Sequence, residues 1–230
     1  MQTNEILEKL RKANPLTPIH QITDPSFSEY GRVLDPSPYI ALADLADRTT
    51  KALDHNVYEA DMKAFHLPDA MSAATTLFGG TAVELGYCNG QNHTMNGLEY
   101  HKSPELTVAV TDLVLFLAKQ RFFHDFDSID SSCAEAFYVP RGSAFALHPG
   151  ILHLAPCCVF SSGFKAIIGL PLGTNTELYF SFKPASYDPE SAILFKTNKW
   201  MIAHRDRIQL TSQGVHAGLL GENRCINPID

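Results

Sequence analysis

The spacing of apolar side chains changes along the chain, and it predicts helices first and strands afterwards. Residues 2–13 place Ile6 and Leu10 on one helical face. The helix is expected to end before Pro15, because proline disfavours the helical conformation of the residue that precedes it. Residues 15–38 contain several prolines and few periodic apolar positions. This pattern is typical of an extended arm that wraps around a core.

Two more helices and a short strand are predicted before the strand-rich part begins. Residues 39–53 carry apolar side chains at helical spacing, among them Leu42. A short strand is expected over residues 56–62. A third helix starts at Pro68, which suits a first helical turn, and Gly79 closes it, since glycine readily takes the left-handed conformation of a helix end.

From Thr81 onward the pattern becomes a series of short apolar runs separated by turn residues. Asn89-Gly90 is one such turn signal. Residues 187–206 are mixed, with Trp200 and Met201 in a packing segment, and the remaining tail is irregular. Strands are predicted over residues 81–88, 92–101, 105–118, 134–139, 143–147, 151–160, 164–170 and 177–183. Regularly spaced short strands favour a sandwich or a barrel.

Composition fits one domain and argues against nucleic-acid binding and against a membrane span. The chain has 230 residues, of which 45% are hydrophobic and 19% charged, so it can bury a sizeable core. The net charge of −7 and the lack of a basic run argue against nucleic-acid binding, which depends on clustered Lys and Arg. We expect no membrane span and no secretory signal, because no apolar run is long enough and the N-terminus has no apolar core.

Five cysteines are scattered along the chain without a disulfide or zinc-clip pattern: Cys88, Cys133, Cys157, Cys158 and Cys225. Their odd number and the absence of a C-x-x-C pair predict free thiols in a reducing cytoplasm. Cys157 and Cys158 have apolar neighbours and are expected to be inert packing residues.

Candidate chemistry concentrates between Glu99 and His153. Glu99 and His101 lie two apart, so in a strand they share a face, and Glu105 follows a short turn. The turn at Pro149-Gly150 places His153 early on a returning strand. Two imidazoles and two carboxylates suit Zn²⁺, Mn²⁺ or Fe²⁺ better than Mg²⁺. We therefore predict a divalent-metal site formed by Glu99, His101, Glu105 and His153.

Other polar residues leave alternatives open. His93 is an alternative ligand or a loop residue, and His148 either supports the site or is exposed at its turn. Asp112 lies in an apolar run, so it either has a partner, carries a proton or faces solvent. Tyr138 and Lys165 lie on strands that border the expected pocket, where each is either functional or structural.

The spacing of these residues resembles the two motifs of the RmlC-like cupin superfamily. Glu99-x-His101-x-x-x-Glu105 has the spacing of the first motif, with Glu in the first His position. Pro149-Gly150-x-x-His153 resembles the second motif shortened by one residue, and Cys157 stands where Asn is usual. The whole chain is similar to an uncharacterised bacterial cupin family on three segments, Gly86 to His93, Leu98 to His101 and Val110 to Leu113.

This resemblance implies a mainly β fold, a single cupin barrel of the jelly-roll or double-stranded β-helix type with N-terminal helices packed on it. Residues 1–80 are expected as the helical extension and arm. Residues 81–230 are expected to form the barrel and a C-terminal extension, within one structural domain overall. The resemblance leaves three roles open for residues 1–80: a cover over an open end of the barrel, the interface of a homodimer of the kind that cupins form through sheet edges, or plain packing.

At the level of activity, the resemblance implies a metal-dependent isomerase or epimerase. Its substrate would be a sugar, sugar phosphate or sugar acid that reacts through an enediol. Glu105 or Glu99 would act as ligand or base, and Lys165 would be a further catalytic residue. Gln91 and Asn92 are expected to offer polar groups for a polyol.

Three other classes of activity stay open. One is metal-dependent lysis or hydrolysis of a small carboxylate or ureido compound. A second is an Fe²⁺ dioxygenase, which is disfavoured because the extra carboxylate would occupy a position that oxygen needs. The third is a sugar-binding barrel without catalysis. Metal dependence distinguishes these classes. Turnover of pentoses and hexoses that chelation abolishes, without oxygen uptake, indicates the isomerase. Oxygen uptake with Fe²⁺ indicates the dioxygenase, and sugar binding without turnover indicates the non-catalytic barrel.

Overall fold

A computed structural model describes residues 3–179 and 184–230. The described residues contain α1 (Thr3–Ala13), α2 (Ile40–Thr49), α3 (Pro68–Leu77) and α4 (Ile208–Thr211). The first three lie where the apolar periodicity predicts them. In α1 the buried side chains are Ile6, Leu7 and Leu10, which repeat at the three- and four-residue spacing of one helical face.

Short strands make up most of the rest of the chain. In order they are β1 (Ile19–Gln21), β2 (Gly31–Leu34), β3 (Val57–Glu59), β4 (Val83–Gly90), β5 (Gly97–Tyr100), β6 (Glu105–Ala109), β7 (Leu113–Leu117), β8 (Ile129–Asp130), β9 (Glu135–Val139), β10 (Ala144–Leu147), β11 (Cys157–Cys158), β12 (Phe164–Pro171), β13 (Leu194–Lys196), β14 (Lys199–His204) and β15 (His216–Leu220).

Two sheets face each other across the main core. One has the order β1-β9-β7-β11, and the other has the order β2-β10-β6-β12-β4-β3. Alternate side chains of both sheets fill the space between them, including Leu115, Phe137, Phe145 and Phe164. This is the jelly-roll arrangement of a cupin barrel, so the predicted fold class is confirmed.

Further layers cover both outer faces of the barrel. Helices α2 and α3 pack on the six-stranded sheet, where Leu42 and Ala74 contact a cluster that includes Leu106 and Ile167. On the other side lies a smaller sheet of order β13-β14-β15-β8, with β5 paired to β14. It packs with α1 against the four-stranded sheet. The helices are therefore packed on the barrel, as predicted.

The N-terminal part contributes strands to both barrel sheets. Strand β1 runs parallel to β9, β2 pairs with β10, and β3 pairs with β4. Residues 15–38, expected as an extended arm, thus supply two barrel strands. The described residues before Thr81 are part of the barrel's edges as well as its helical cover.

The predicted long strand over residues 105–118 is two strands in opposite sheets. Between β6 and β7 the chain turns at Val110 to Asp112, and polar bonds hold this corner. Lys165 N donates to Thr111 Oγ1 at 2.9 Å, and Tyr138 Oη donates to Asp112 Oδ1 at 2.5 Å. Both strands are buried along their whole length, so their residues are mostly apolar. The sequence therefore shows one almost continuous apolar run and no clear signal of the corner.

Two other expectations differ from the structure. Asn89 and Gly90 continue β4 instead of turning, since Asn89 pairs with both Lys165 and Val57. The strand predicted over residues 177–183 lies partly outside the described residues, at 180–183, and residues 177–179 are not in a strand.

Candidate metal site

A pair of backbone hydrogen bonds between β5 and the segment before β11 explains why distant residues meet at one site. Glu99 N donates to the His153 carbonyl at 2.7 Å, and His153 N donates to the Glu99 carbonyl at 2.9 Å. Directly paired residues of this kind point their side chains to the same side of a sheet. His101 follows Glu99 by two residues and shares its face. Three of the predicted ligands therefore point to the same side, and two of them, Glu99 and His153, line one pocket.

Glu105 reaches the same pocket from the start of β6. It is buried on the inward face of that strand together with Thr107. Its Oε2 atom lies 3.0 Å from His153 Nε2 and 3.5 Å from His101 Nε2. One carboxylate oxygen thus lies beside the ring nitrogens of both histidines. The structure brings together all four residues that the sequence predicted as metal ligands.

Backbone carbonyls fix the orientation of both imidazoles. His101 Nδ1 lies 2.6 Å from the carbonyl oxygen of Asn198, and His153 Nδ1 lies 2.9 Å from that of Ile151. A carbonyl only accepts hydrogen bonds, so each Nδ1 must carry the proton. Each Nε2 then faces the Glu105 carboxylate, and an imidazole whose other nitrogen donates to a carbonyl is the arrangement usual for histidines that bind metals.

Burial and charge act against each other on the Glu105–His153 pair. Burial favours the neutral form of Glu105, but the adjacent imidazoles of His153 and His101 outweigh it and hold the pKa of Glu105 well below its usual range. Burial likewise lowers the pKa of His153, yet the charges of Glu105 and Glu99 dominate and raise it to about 9. Without a metal ion, this pair is a buried ion pair.

The residues present fit a divalent cation. His101 is 2% exposed, and its Nε2 atom has no hydrogen-bond partner among the described residues. Ligand atoms of Glu99, His101 and His153 all lie within 4.8 Å of one another. A buried ring nitrogen without a partner is costly, and a metal ion bound by these nitrogen and oxygen atoms would satisfy it.

Lys199 is a site residue that the sequence analysis missed. Its Nζ atom forms an ion pair with Glu99 Oε2, and only 16% of the Lys199 side chain is exposed. Lys199 opens β14, which pairs with β5 next to Glu99. No spacing rule connects residues so far apart in the chain. The pairing of β14 with β5 alone brings Lys199 to the site.

The pocket beside these residues is small. It encloses about 40 Å³, and its lining includes Tyr58, Cys88 and Asn175 besides Glu99, Glu105 and His153. Asn175 Nδ2 donates to Tyr58 Oη at 2.9 Å, so these two side chains form a pair in the pocket lining. A larger groove of about 720 Å³ lies between the N-terminal arm and the C-terminal tail, and none of the four predicted ligands lines it.

Lys165 and Asn92, both expected near the substrate, have structural partners. Lys165 Nζ donates to the carbonyl oxygen of Asp47 at 2.7 Å and to Asp47 Oδ1 at 3.1 Å, on helix α2 outside the barrel. Asn92 Nδ2 donates to the carbonyls of Thr94 and Pro156 at 2.8 and 3.2 Å. The structure does not bring Lys165 to the site, because its neighbour Ala166 takes the inward face of β12.

The structure also shows the surroundings of three polar residues for which the sequence left alternatives open. His93 is not in the ligand group, and its carbonyl accepts from Ile226 N at 2.8 Å. His148 is exposed, with Nε2 3.2 Å from the Ser28 carbonyl. Asp112 does have a partner, the Tyr138 hydroxyl, and this bond engages Tyr138 away from the pocket.

All five cysteines, each within the described ranges, are free thiols. Burial raises the pKa of Cys88 to about 12 and that of Cys158 to about 11, which keeps both thiols protonated at neutral pH. Cys157 and Cys158 are buried among apolar side chains, as expected of packing residues. In the described part of the chain, no helix has the length and apolar character needed to cross a membrane.

Solved structures of low identity show distant likeness. SnoN, a non-heme alpha ketoglutarate dependent epimerase from nogalamycin biosynthesis, is 12% identical over 74% of this chain and 84% of its own, with a TM-score of 0.35. Bacillus subtilis oxalate decarboxylase, whose structure title names Mn(II) centres, is 11% identical over 43% of this chain and 26% of its own, with a TM-score of 0.30. The 11S globulin from Wrightia tinctoria is 10% identical over 41% of this chain, with a TM-score of 0.29.

This chain spans about a fifth of the globulin's length and about a quarter of the decarboxylase's length. These likenesses are too distant to bear on activity. No protein of curated function matches the sequence at a significant level. A family model does match, over residues 19–224, which include every candidate site residue. The chain belongs to the family described as Domain of unknown function (DUF4867).

Proposed function

We propose that this protein is a divalent-metal-dependent isomerase or epimerase of a small hydroxycarbonyl compound, of the sugar, sugar phosphate or sugar acid class. One observation carries the proposal: the Nε2 atoms of His101 and His153 both lie beside the carboxylate of Glu105, and ligand atoms of Glu99, His101 and His153 lie within 4.8 Å of one another. Metal ligands and acid–base groups are thereby combined in one buried place.

His101, His153 and Glu105 are the residues that would hold the metal ion, because Glu105 Oε2 lies next to both ring nitrogens. When bound, the ion would polarise the carbonyl group of the substrate as a Lewis acid. Glu99 has one oxygen, Oε1, 4.0 Å from His101 Nε2, while its other oxygen pairs with Lys199. Glu99 is therefore a fourth ligand or the group that moves protons.

Proton transfer is the chemistry that Glu99 and Lys199 would supply. The Glu99 carboxylate takes the proton from the carbon that bears the hydroxyl group, and the electron pair of that C–H bond forms the carbon–carbon double bond of an enediol. The carbonyl oxygen gains a proton, for which the Lys199 ammonium is the nearby donor. Glu99 then returns its proton to the neighbouring carbon while the other enediol hydroxyl gives its proton to Lys199, which completes isomerisation. Return of the proton to the original carbon after the enediol has turned its other face to Glu99, with the first hydroxyl proton going back to Lys199, gives epimerisation.

The size of the pocket favours a second candidate, metal-dependent lysis of a small carboxylate. A volume of about 40 Å³ holds only the reacting end of a substrate, whereas ligand pockets commonly measure about 300–1,000 Å³. A sugar would extend well beyond this volume, whereas a two- or three-carbon acid needs much less room. The same metal and ammonium groups would stabilise the oxyanion of such a substrate.

The test is turnover by metal-depleted protein before and after addition of Zn²⁺, Mn²⁺ or Fe²⁺. Pentoses, hexoses, their phosphates and their acids are supplied in D₂O, and NMR follows product formation and deuterium at carbon. We expect metal-dependent product that carries solvent deuterium, without oxygen uptake. Turnover confined to small acids supports the lyase, and binding without turnover overturns both. Lys165→Met serves as a control, since Lys165 contacts helix α2 and not the pocket.

A further inference from the structure

The turn between β13 and β14 contacts the metal site with two consecutive residues. Asn198 lies at the turn, and Lys199 begins β14. Asn198 has a φ of 54°, in the left-handed region that asparagine tolerates better than most residues. This backbone conformation determines where the Asn198 carbonyl oxygen points. It points at His101, whose Nδ1 lies 2.6 Å away.

The side chain of Asn198 fastens the turn to two other segments. Asn198 Oδ1 accepts from Lys102 N at 3.0 Å, in the loop between His101 and Glu105. Asn198 Nδ2 donates to Ser103 Oγ at 3.0 Å and to Thr174 Oγ1 at 3.3 Å. One side chain thereby restrains the loop that separates two predicted ligands. The bonds to Lys102 and Ser103 also keep the turn beside His101.

The next residue acts on a third predicted ligand. Lys199 forms its ion pair with Glu99, and both side chains are largely buried. The same turn therefore orients an imidazole through Asn198 and a carboxylate through Lys199. Both contacts come from a segment far along the chain from the motifs that carry the ligands.

We infer that Asn198 is the positioning residue of the metal site: its left-handed backbone directs the carbonyl that fixes His101, and its side chain fixes the loop before Glu105. The inference rests on the proposed metal-dependent function. Hydrogen bonds that orient a metal-binding histidine typically change metal affinity by about 10- to 100-fold. Asn198 is not among the residues that line the pocket, so its contribution is to pre-organise the ligands.

Substitutions at Asn198 separate the two contributions. Asn198→Gly keeps the left-handed backbone and the carbonyl but removes the three side-chain bonds. Asn198→Val removes those bonds and also disfavours the left-handed backbone, because a β-branched residue rarely adopts it. Asn96 provides a matched control, because it has a φ of 62° and its side-chain amide donates to Asn92 and Thr94 instead of to the loop before Glu105.

The measurement is Zn²⁺ affinity by calorimetric titration of the metal-depleted full chain, together with the absorption spectrum of the Co²⁺-loaded protein. We expect Asn198→Val to weaken Zn²⁺ binding by about 10- to 100-fold and to change the Co²⁺ spectrum. Asn198→Gly should show a smaller loss. The corresponding control variants, Asn96→Gly and Asn96→Val, should bind Zn²⁺ like the wild type. If Asn198→Val does not fold, Asn198→Gly against Asn96→Gly decides the question.

Two results overturn the inference. One is wild-type affinity and an unchanged Co²⁺ spectrum in both Asn198 variants. The other is an equal loss in the Asn96 variants, which would mean that any disturbed turn has this effect. A wild-type protein that binds no Zn²⁺, Mn²⁺ or Fe²⁺ instead overturns the proposed function itself, so the two failures are distinguishable. Metal affinity that responds to Asn198 without any isomerase turnover supports the positioning role alone.

Discussion

Each histidine of the site has its two ring nitrogens in different surroundings. The Nδ1 atoms of His101 and His153 face backbone carbonyls, and the Nε2 atoms face carboxylates. A carbonyl oxygen accepts hydrogen bonds and never donates them, so each Nδ1–H keeps its partner. The ring orientation is therefore the same whether the Nε2 atoms bind a proton or a metal ion. In metal-free protein the raised pKa of His153 keeps its ring protonated at neutral pH, so its Nε2 donates to Glu105.

The two carboxylates should differ in their roles, and amide substitutions test this. Glu105→Gln should weaken Zn²⁺ binding by more than the about 10- to 100-fold typical of losing a group that merely orients a ligand, because Glu105 contacts both imidazoles. Glu99→Gln should retain most metal and reduce turnover by about 10²- to 10⁴-fold, as expected for a lost acid–base group. Metal content and turnover are measured on the same samples. Equal metal loss in both variants would make Glu99 a ligand instead.

The raised pKa of His153 predicts how the stability of metal-free protein depends on pH. A pKa raised from 6.5 to about 9 contributes stability that is fully present below pH 6.5 and is lost as the pH rises through 9. The lowered pKa of Glu105 contributes stability that is present above its ordinary value of 4.5 and is lost as the pH falls. The pair should therefore contribute most between pH 4.5 and 6.5.

His153→Gln isolates this contribution in urea unfolding of chelator-treated protein. The difference in unfolding free energy between wild type and variant should be largest near pH 6 and should shrink by pH 9.5. His148→Gln is the matched control, since His148 is exposed and its ring nitrogen faces a backbone carbonyl. A His153→Gln difference that is constant over this pH range would contradict the ion pair.

At the scale of elements, the edge strand β3 depends on a close backbone approach. Gly86 of β4 leaves no room for a side chain, because an added Cβ would lie against the carbonyl oxygen of Glu59. Strand β3 also carries Tyr58, which lines the pocket. The shape of the pocket lining is therefore coupled to the packing of two backbones.

Gly86→Ala should separate β3 from β4 and cost about 3 kcal/mol or more in unfolding free energy, the upper range for overpacking. Denaturant unfolding measures this cost. Gly142→Ala is the control: its φ is 83° and its surroundings are open, so it should cost only the about 1–2 kcal/mol of a left-handed alanine. Equal costs would show that β3 yields without strain.

At the scale of the molecule, a metal ion should stabilise the whole fold. The ligands come from β5, β6 and the segment before β11, so binding links the barrel wall to the smaller sheet through β5. A ligand present at 100 times its Kd adds about 2.7 kcal/mol. For a chain of this size, that corresponds to a rise in Tm of about 5–10 °C.

Differential scanning fluorimetry with and without Zn²⁺ measures this shift. The double variant His101→Ala with His153→Ala should show no such rise in Tm, because both nitrogen ligands are lost. Asn227→Ala tests specificity, since Asn227 lies in the distant groove and should leave the shift intact. A metal-induced rise that persists in the double histidine variant would mean that the ion binds elsewhere.

Local signals in the sequence predicted some elements and missed others for identifiable reasons. Helix α1 was predictable because its apolar residues repeat with the helical period. The corner between β6 and β7 was not, since strands buried on both faces read as one continuous apolar run. Asn89-Gly90 wrongly predicted a turn, because these residue types favour a tight turn but also occur in a strand that pairs closely on both sides, as β4 does here.

The sequence by itself determined the residue types of the candidate site and the faces they share: Glu99 with His101 by alternation, and Glu105 and His153 by their turns. The tertiary structure alone decided that β14 pairs with β5, and with it the contacts of Asn198 and Lys199. It also decided that Lys165 pairs with Asp47 and not with the site. Alternation and turn chemistry act between near neighbours in the chain, whereas partners across sheets depend on which strands pair, and that is determined by the packing of the whole core.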